Sequence, residues 1–220
     1  MALAGYQLVM KRVGAAMARS GRDPSDMTVV AVSKGRTVSE IEALYSAGHR
    51  DFGENRAGEM AEKAAQLPDD IRWHFVGSLQ SNKVRAIRAS TYLLHSVDRG
   101  SLAKAWLKGM GQPPPILIQV NIGSEEQKGG VEPDRAAELI DEVLGLGLDP
   151  QGLMAIPPLG TTPEDSRRFF VALRELRTSL STEAHPLGHL SMGMTNDFEV
   201  AIEEGASIIR VGRAIFGPTH

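Results

Sequence analysis

Short apolar runs alternate along this chain with longer segments in which apolar residues recur every three or four positions. The short runs predict buried strands, and the longer segments predict amphipathic helices. In the first run, residues 27–34, the first six residues are apolar or β-branched, and the run ends on Lys34 just before Gly35. It predicts a strand buried on both faces, with a lysine at its C-terminal end.

The same alternation repeats to the end of the chain. Eight strands are predicted: 27–34, 49–55, 71–76, 92–95, 116–121, 151–156, 189–192 and 207–211. A helix is predicted at about 6–19, and the segments after the strands are helical, most clearly at 57–66, 133–144, 163–180 and 196–203. Thr37 to Glu40 has the pattern of a capping box, with Thr37 or Ser39 as the cap.

Alternating strands and helices predict a parallel sheet covered by helices. Eight units in 220 residues leave roughly 27 residues per unit, close to the minimum for a βαβ repeat. The sheet can be an open doubly wound sheet or a closed (β/α)8 barrel. No Gly-x-Gly-x-x-Gly opens the first helix. The pattern therefore favours an α/β fold of the (β/α)8 TIM barrel type, with residues 1–220 forming a single domain without a linker.

Composition narrows the function classes. A net charge of −3 gives no general attraction to nucleic acid or acidic membranes. The absence of cysteine excludes disulfides, thiol nucleophiles and cysteine-ligated metals. We identify neither a signal peptide nor an apolar run long enough to span a membrane, and we expect a cytoplasmic protein. A closed barrel leaves no edge strand, so we expect a monomer.

Functional groups of such barrels gather at the C-terminal ends of the strands. Polar and small residues recur there: Lys34, Glu54, Asn55, Gly77, Ser78, Ser96, Asp98, Asn121, Ser191 to Thr195, Arg210, Gly212 and Arg213. His74, His95 and His189 lie within strands, lack metal-ligand spacing, and are predicted to be hydrogen-bonded core residues. The strand ends therefore predict a binding pocket at one mouth of the barrel.

The last two loops suit a phosphate group. Residues 191–195 and 211–214 combine hydroxyls and glycines with free N–H groups at predicted helix starts. Barrels commonly bind phosphate after strands seven and eight. Taken singly, Ser191 and Thr195 are explained equally well as helix caps and Gly212 as a turn residue; taken together, the two loops favour phosphate.

A lysine opposite a phosphate site suggests pyridoxal phosphate, which a neutral amine can hold as an imine. Burial of Lys34 in the barrel mouth is expected to favour that neutral form. Arg210 is either an exposed strand-end residue or faces the pyridine nitrogen. In the second case its charge keeps the ring unprotonated and disfavours demanding carbanion chemistry.

Several longer motifs carry a family resemblance: Ala31-Val32-Ser33-Lys34, Phe52-Gly53-Glu54-Asn55, His74 to Lys83, His95-Ser96-Val97-Asp98, Val120-Asn121-Ile122, Gly152-Leu153-Met154, Leu190 to Met194 and Ile209 to Gly217. From about residue 5 to 217, the chain resembles the pyridoxal phosphate homeostasis proteins, the YggS/PROSC family. Arg213 stands where many members carry threonine, and Gly35-Arg36 differs from the threonine-containing sequence usual after the lysine.

The resemblance implies a fold-type III barrel like the N-terminal domain of alanine racemase, with pyridoxal 5'-phosphate held as a Schiff base on Lys34. It implies no catalytic residues and no metal. The candidate cofactor-binding residues are Lys34, Asn55, Ser191, Met192, Gly193, Thr195, Arg210, Gly212 and Arg213. The expected role is storage or delivery of the cofactor to pyridoxal phosphate-dependent apo-enzymes. The alternative is a racemase-like enzyme of the same fold, and a third possibility is a cofactor-free barrel enzyme acting on a phosphorylated metabolite.

Overall fold

Eight parallel strands close into a barrel in sequential order, each strand pairing with its neighbours along the chain and the last with the first. The computed structural model describes residues 2–125, 129–158, 160 and 162–218. The strands are β1 Thr28–Val32, β2 Asp51–Glu54, β3 Arg72–Phe75, β4 Thr91–Val97, β5 Ile116–Gln119, β6 Pro150–Met154, β7 His189–Ser191 and β8 Ile208–Val211. This arrangement confirms the predicted (β/α)8 barrel.

Helices alternate with the strands around the outside of the barrel. They are α1 Ala2–Arg19, α2 Val38–Ser46, α3 Ala57–Ala64, α4 Val84–Ile87, α5 Gly100–Trp106, α6 Ala136–Gly145, α7 Arg167–Leu180, α8 Phe198–Glu203 and α9 Arg213–Phe216. Short 3-10 helices are found at Pro24–Asp26, Ser81–Lys83, Pro133–Arg135 and Pro163–Ser166. Over the described ranges, no helix combines the length and apolar character needed to cross a bilayer.

Local sequence explains individual helix ends. The capping box before α2 is confirmed, with Thr37 as the cap: its hydroxyl accepts the Glu40 N–H, and the Glu40 carboxylate accepts the Thr37 N–H. The predicted helix 163–180 begins as a 3-10 helix and becomes α-helical only at Arg167. Strand β1 ends at Val32, two residues before the predicted end.

Side chains alternate between two apolar layers because successive strand residues point to opposite faces of the sheet. Val29 and Ala31 belong to the large layer between strands and helices. Val30 belongs to a small cluster inside the barrel with Leu93, Leu117, Met154 and Ile208. By the same alternation, Val32 at the end of β1 packs on the interior cluster, and Lys34 follows it two residues later in a turn at the mouth.

Candidate functional site at the barrel mouth

Lys34 follows β1 in a short turn that includes Gly35, whose φ is +67°. Backbone pairing with β2 continues one residue past β1, because the Ser33 N–H donates to Gly53 O at 2.9 Å. Lys34 itself is exposed. The predicted burial of Lys34 is wrong, because β1 ends two residues before the lysine, which lies in the exposed turn that follows.

A second lysine, Lys63 of α3, anchors the backbone beside Lys34. Its Nζ donates to Ser33 O at 2.6 Å. Glu59, one turn earlier on α3, accepts the Gly35 N–H at 2.5 Å. The peptide groups on both sides of Lys34 are therefore held by side chains of one helix.

The same ammonium joins two carboxylates. Lys63 Nζ lies 2.7 Å from Glu54 Oε1 and 2.7 Å from Glu59 Oε1. Glu54 also accepts the Ser33 hydroxyl at 2.7 Å. Sequence reasoning placed Lys63 only in the body of a helix. The four-residue spacing of Glu59 and Lys63 was the available signal, whereas the contact with Glu54 depends on the packing of α3 against β2.

The pKa values of Glu54 and Glu59 shift in opposite directions at this position. Burial raises the pKa of Glu54 above its usual range, and the hydrogen bond from Lys63 offsets that rise only in part. Burial would also raise the pKa of Glu59, but the hydrogen bonds from Lys63 and the Gly35 N–H outweigh it and leave this pKa lowered.

On the other side of the mouth, β7 and β8 bring Ser191 and Arg210 together inside the barrel. Arg210 Nη1 donates to Ser191 Oγ at 2.6 Å, and Nη2 donates to Ala155 O at 3.0 Å. Arg210 is 4% exposed, which resolves the choice left open by the sequence in favour of an inward-facing residue. Burial lowers the pKa of Arg210 to about 10, so the guanidinium stays charged at neutral pH.

The loops after β7 and β8 adjoin each other. The Arg210 N–H donates to Gly193 O at 3.0 Å, and the Ala214 N–H lies 3.4 Å from Thr195 Oγ1. Gly193 has a φ of +91°, and a Cβ there would lie 2.6 Å from Ala201 Cβ, so the turn needs glycine. The first N–H groups of α9, after Gly212, have no acceptor within that helix.

Two further candidate cofactor-binding residues, Arg213 and Met192, differ from this group in the position of their side chains. Arg213 is exposed at the start of α9. Met192 is fully buried in the outer core, and its N–H donates to Ile208 O. The structure therefore brings Gly193, Thr195 and Gly212 together at the two loops but does not bring the Met192 side chain or its N–H to them.

Asn55 lies directly after β2 at the mouth. Its Oδ1 is buried and has no hydrogen-bond partner among the described residues, and the same holds for Ser96 Oγ on β4. Gly77, after β3, permits a close approach here, because a Cβ on Gly77 would lie 2.3 Å from Asn55 O. The Asn55 Oδ1 without a partner marks its strand end as a place for a polar ligand.

His74 and His95 are buried within the barrel and hydrogen-bonded to each other, which confirms the prediction for these two core histidines. His189, predicted with them, is only half-buried, and its Nδ1 lies 3.2 Å from Ser207 Oγ. Within the described part of the chain, no group of three or more histidine, aspartate or glutamate residues could hold a metal ion.

Fold and site together define a (β/α)8 barrel protein with a solvent-exposed lysine, a buried arginine and two anion-suited loops at one mouth. A pyridoxal phosphate homeostasis protein of Aquifex aeolicus is 44% identical over 217 residues, which cover 95% of this chain and 94% of the relative. The chain belongs to the pyridoxal phosphate homeostasis protein family. No protein-family model matches it.

Solved structures agree with this assignment. PipY of Synechococcus elongatus PCC7942, solved with pyridoxal phosphate bound, is 33% identical, with a TM-score of 0.78 over 95% of this chain and all of that one. Alanine racemase from Corynebacterium glutamicum shares the fold, with a TM-score of 0.71 at 14% identity; the match covers 96% of this chain and 60% of the racemase.

Proposed function

We propose that this chain binds pyridoxal 5'-phosphate at the barrel mouth as a Schiff base on Lys34 and serves to store and deliver the cofactor. The observation that carries the proposal is that different strand ends around the mouth supply an amine, a buried cation and two loops suited to an anion. An exposed amine follows β1, while a buried cation lies on β8 and two adjoining loops follow β7 and β8. Residues 1–220 would form one domain, monomeric and cytoplasmic, with pyridoxal phosphate-dependent apo-enzymes as recipients.

The residues at the mouth fit the cofactor by their chemistry. An aldehyde needs an amine, a phosphate dianion needs N–H and hydroxyl donors at helix starts, and a pyridine nitrogen needs a hydrogen-bond donor. The partnerless Oδ1 of Asn55 offers an acceptor at the same mouth. Each requirement is met by a different strand end, so one ligand of this kind can contact all of them.

Each residue then has a distinct role. Lys34 supplies the amine that holds the aldehyde carbon. The phosphate is held by donors of the loops that contain Gly193, Thr195 and Gly212, with Arg213 adding charge when its side chain swings inward. Met192 supports this loop from the core, and Asn55 orients the ring substituents.

Arg210 faces the ring nitrogen. When bound, the cofactor supplies an electron-withdrawing ring. A guanidinium carries only donors, so it can bond an unprotonated ring nitrogen but not a protonated one, and this chain keeps the ring a weak electron sink. This arrangement suits holding the cofactor better than using it.

A racemase-like enzyme is the rival function. Such an enzyme needs a second acid/base group opposite the lysine. The tyrosines of the chain lie elsewhere: Tyr6 contacts His49, Tyr45 contacts Asp70, and Tyr92 is the second residue of β4, at the opposite end of that strand from the mouth. Their positions support the carrier function.

The test is the visible absorption spectrum of the protein after addition of pyridoxal phosphate and removal of excess, beside Lys34→Ala and the matched control Lys83→Ala. Lys83 follows β3 on the same side of the barrel. The parent and Lys83→Ala should retain the imine band, and borohydride reduction should fix the cofactor on the peptide that contains Lys34. An imine band in Lys34→Ala would show that the cofactor is attached to another lysine. The absence of a band in the parent would refute cofactor binding.

Turnover separates the two functions that share this cofactor. The loaded parent protein is expected to leave a panel of D- and L-amino acids unchanged. Racemisation or decarboxylation that disappears in Lys34→Ala would make the protein an enzyme.

A further inference from the structure

A continuous chain of hydrogen bonds crosses the barrel interior from the start of β2 to the end of β7. Asp51 Oδ1 lies 3.1 Å from His74 Nε2, and His74 Nδ1 lies 2.9 Å from His95 Nε2. His95 Nδ1 lies 2.8 Å from Ser191 Oγ, which accepts from Arg210 Nη1 at 2.6 Å. The chain therefore links the bottom of the barrel to the arginine at the proposed cofactor site.

The groups at the two ends of this hydrogen-bond chain have fixed roles, one as donor and the other as acceptor. The guanidinium of Arg210 carries only donors. At the other end, Asp51 also accepts from Arg72 at 2.7 and 2.5 Å. Burial would raise the pKa of Asp51, but hydrogen bonds from His74 and Arg72 outweigh it and hold this pKa well below its usual range. Asp51 is therefore ionised at neutral pH and can only accept.

The two histidines between the ends are neutral. Burial lowers the pKa of His74, although the hydrogen bond to Asp51 opposes this. Burial lowers the pKa of His95 further, with His74 and the charge of Arg210 acting in the same direction. A neutral imidazole has one N–H donor and one acceptor nitrogen. Each histidine in the chain must therefore accept on one side and donate on the other.

One proton arrangement satisfies these conditions. His74 donates from Nε2 to Asp51, so its Nδ1 is the acceptor. His95 donates from Nε2 to that nitrogen, so its own Nδ1 is the acceptor for the Ser191 hydroxyl. The one hydrogen of Ser191 thus points toward His95, and its lone pairs face Arg210.

We propose that Asp51, His74 and His95 are positioning residues that hold the Ser191 hydrogen toward His95, so that Ser191 serves the ring side of the site as an acceptor for Arg210 and gives no hydrogen bond to phosphate. The part that concerns the ligand rests on the proposed function. The part that concerns the direction of the chain is a property of the protein alone. Phosphate is then left to the loops that contain Gly193, Thr195 and Gly212.

The opposite direction would leave two acceptors facing each other at the bottom of the barrel. If Ser191 accepted from His95 Nδ1, His74 would donate from Nδ1 and present a bare Nε2 to the Asp51 carboxylate. Asparagine at position 51 removes this conflict, because its amide can donate as well as accept. Asp51→Asn, a nearly isosteric change at the far end of the barrel, should therefore allow the hydrogen bonds of the whole chain to run in either direction.

The first test is nitrogen-15 NMR of histidine-labelled protein without cofactor. His74 and His95 should both carry their proton on Nε2. Asp51→Asn should give a second population of His95 with the proton on Nδ1, two hydrogen bonds away from the substitution. A mere loss of packing would not change that tautomer.

Arg72→Gln is the matched control, because it removes the exposed partner of Asp51 but leaves the carboxylate in place. It should leave both tautomers unchanged. A parent protein with the proton on His95 Nδ1 would overturn the proposal, and this spectrum decides the matter even where a variant fails to fold. Unchanged tautomers in Asp51→Asn would remove Asp51 from the set of positioning residues.

The second test compares the affinities of the parent and Ser191→Ala for pyridoxal phosphate and for pyridoxal, which lacks the phosphate. Loss of the acceptor for Arg210 should weaken both ligands by the same factor, about tenfold. A loss confined to pyridoxal phosphate would mean that Ser191 serves the phosphate and would refute the proposal. If the parent binds neither ligand, the proposed function fails, while the NMR result stands independently.

Discussion

Two lysines lie beside the end of β1 and have opposite environments. Lys34 is exposed, and its amine makes no hydrogen bond or salt bridge to the described residues. Lys63 has a side chain only 7% exposed, and its three hydrogens meet Ser33 O, Glu54 and Glu59. The same functional group is thus available for chemistry in one place and fully occupied in the other.

The difference shows what makes a lysine reactive in this barrel. The Lys63 amine donates to three oxygens, two of them carboxylates, and all of its hydrogens are engaged, so it is not free to meet an aldehyde. Lys63 instead holds the Ser33 carbonyl and, together with Glu59 on the Gly35 N–H, fixes the backbone on both sides of Lys34. The buried lysine therefore anchors the turn, and the exposed one carries the proposed chemistry.

The largest predicted effect comes from Lys63→Met. The change keeps the length and apolar stem of the side chain but leaves Glu54, which is fully buried, without its cation. Breaking a buried pair on one side costs about 3–5 kcal/mol. We expect a loss of this size in the free energy of unfolding at pH 7, measured by urea denaturation.

The loss should depend on pH in one direction. Without Lys63, the pKa of Glu54, already raised by burial, rises further above its unfolded value. A carboxyl whose pKa is raised by folding contributes stability at low pH that is lost as the pH rises toward the folded value. The variant should therefore approach the parent near pH 4 and fall behind it toward pH 8. A loss that is equal at both pH values would contradict the assignment of Glu54 as the uncompensated charge.

Much of the fold could be predicted from the sequence, because each strand–helix unit carries its own pattern. The apolar run of β1 and the capping box at Thr37 are both local signals, and both are confirmed. The end of β1 was misplaced by two residues, because Ser33 and Lys34 continue the run in sequence although barrel pairing to β8 stops at Ala31. That error produced the wrong burial of Lys34.

For the site, the sequence predicted which residues lie at the strand ends but not the contacts between them. The inward position of Arg210 depends on the parity of β8 within the closed barrel, which sequence alone left open. The hydrogen-bond chain through His74 and His95 runs from Asp51 to Arg210 and joins residues of five strands. The role of Lys63 depends on how α3 packs on β2. No local pattern specifies contacts of this kind.

A smaller effect is predicted for Glu59→Gln. Glutamine still accepts from Lys63 and from the Gly35 N–H, but without charge, and hydrogen bonds to charged groups are the stronger ones. We expect a loss of roughly 1–2 kcal/mol in the free energy of unfolding at pH 7. The pKa of Glu59 is lowered by folding, so its contribution is complete above its unfolded pKa of about 4.3 and is lost as the pH falls through the folded value.

The measurement is the difference in unfolding free energy between the parent and Glu59→Gln, taken from pH 7 down to pH 3. Other carboxylates cancel in that difference because both proteins share them. The difference should shrink toward pH 3. A difference that grows as the pH falls would mean that Glu59 is protonated in the folded protein and would refute its ion pair with Lys63.

The smallest effect is predicted for Lys104→Met, the same substitution as Lys63→Met but at an exposed pair. Lys104 Nζ lies 2.9 Å from Glu142 Oε1, close to the 2.7 Å of the Lys63 contacts, but the two side chains are 61% and 40% exposed. Water screens this pair, and exposed pairs contribute at most about 1 kcal/mol. Urea denaturation should give a loss within that limit that shrinks further at high salt. A loss comparable to that of Lys63→Met would mean that contact distance, rather than burial, sets the energy of these pairs.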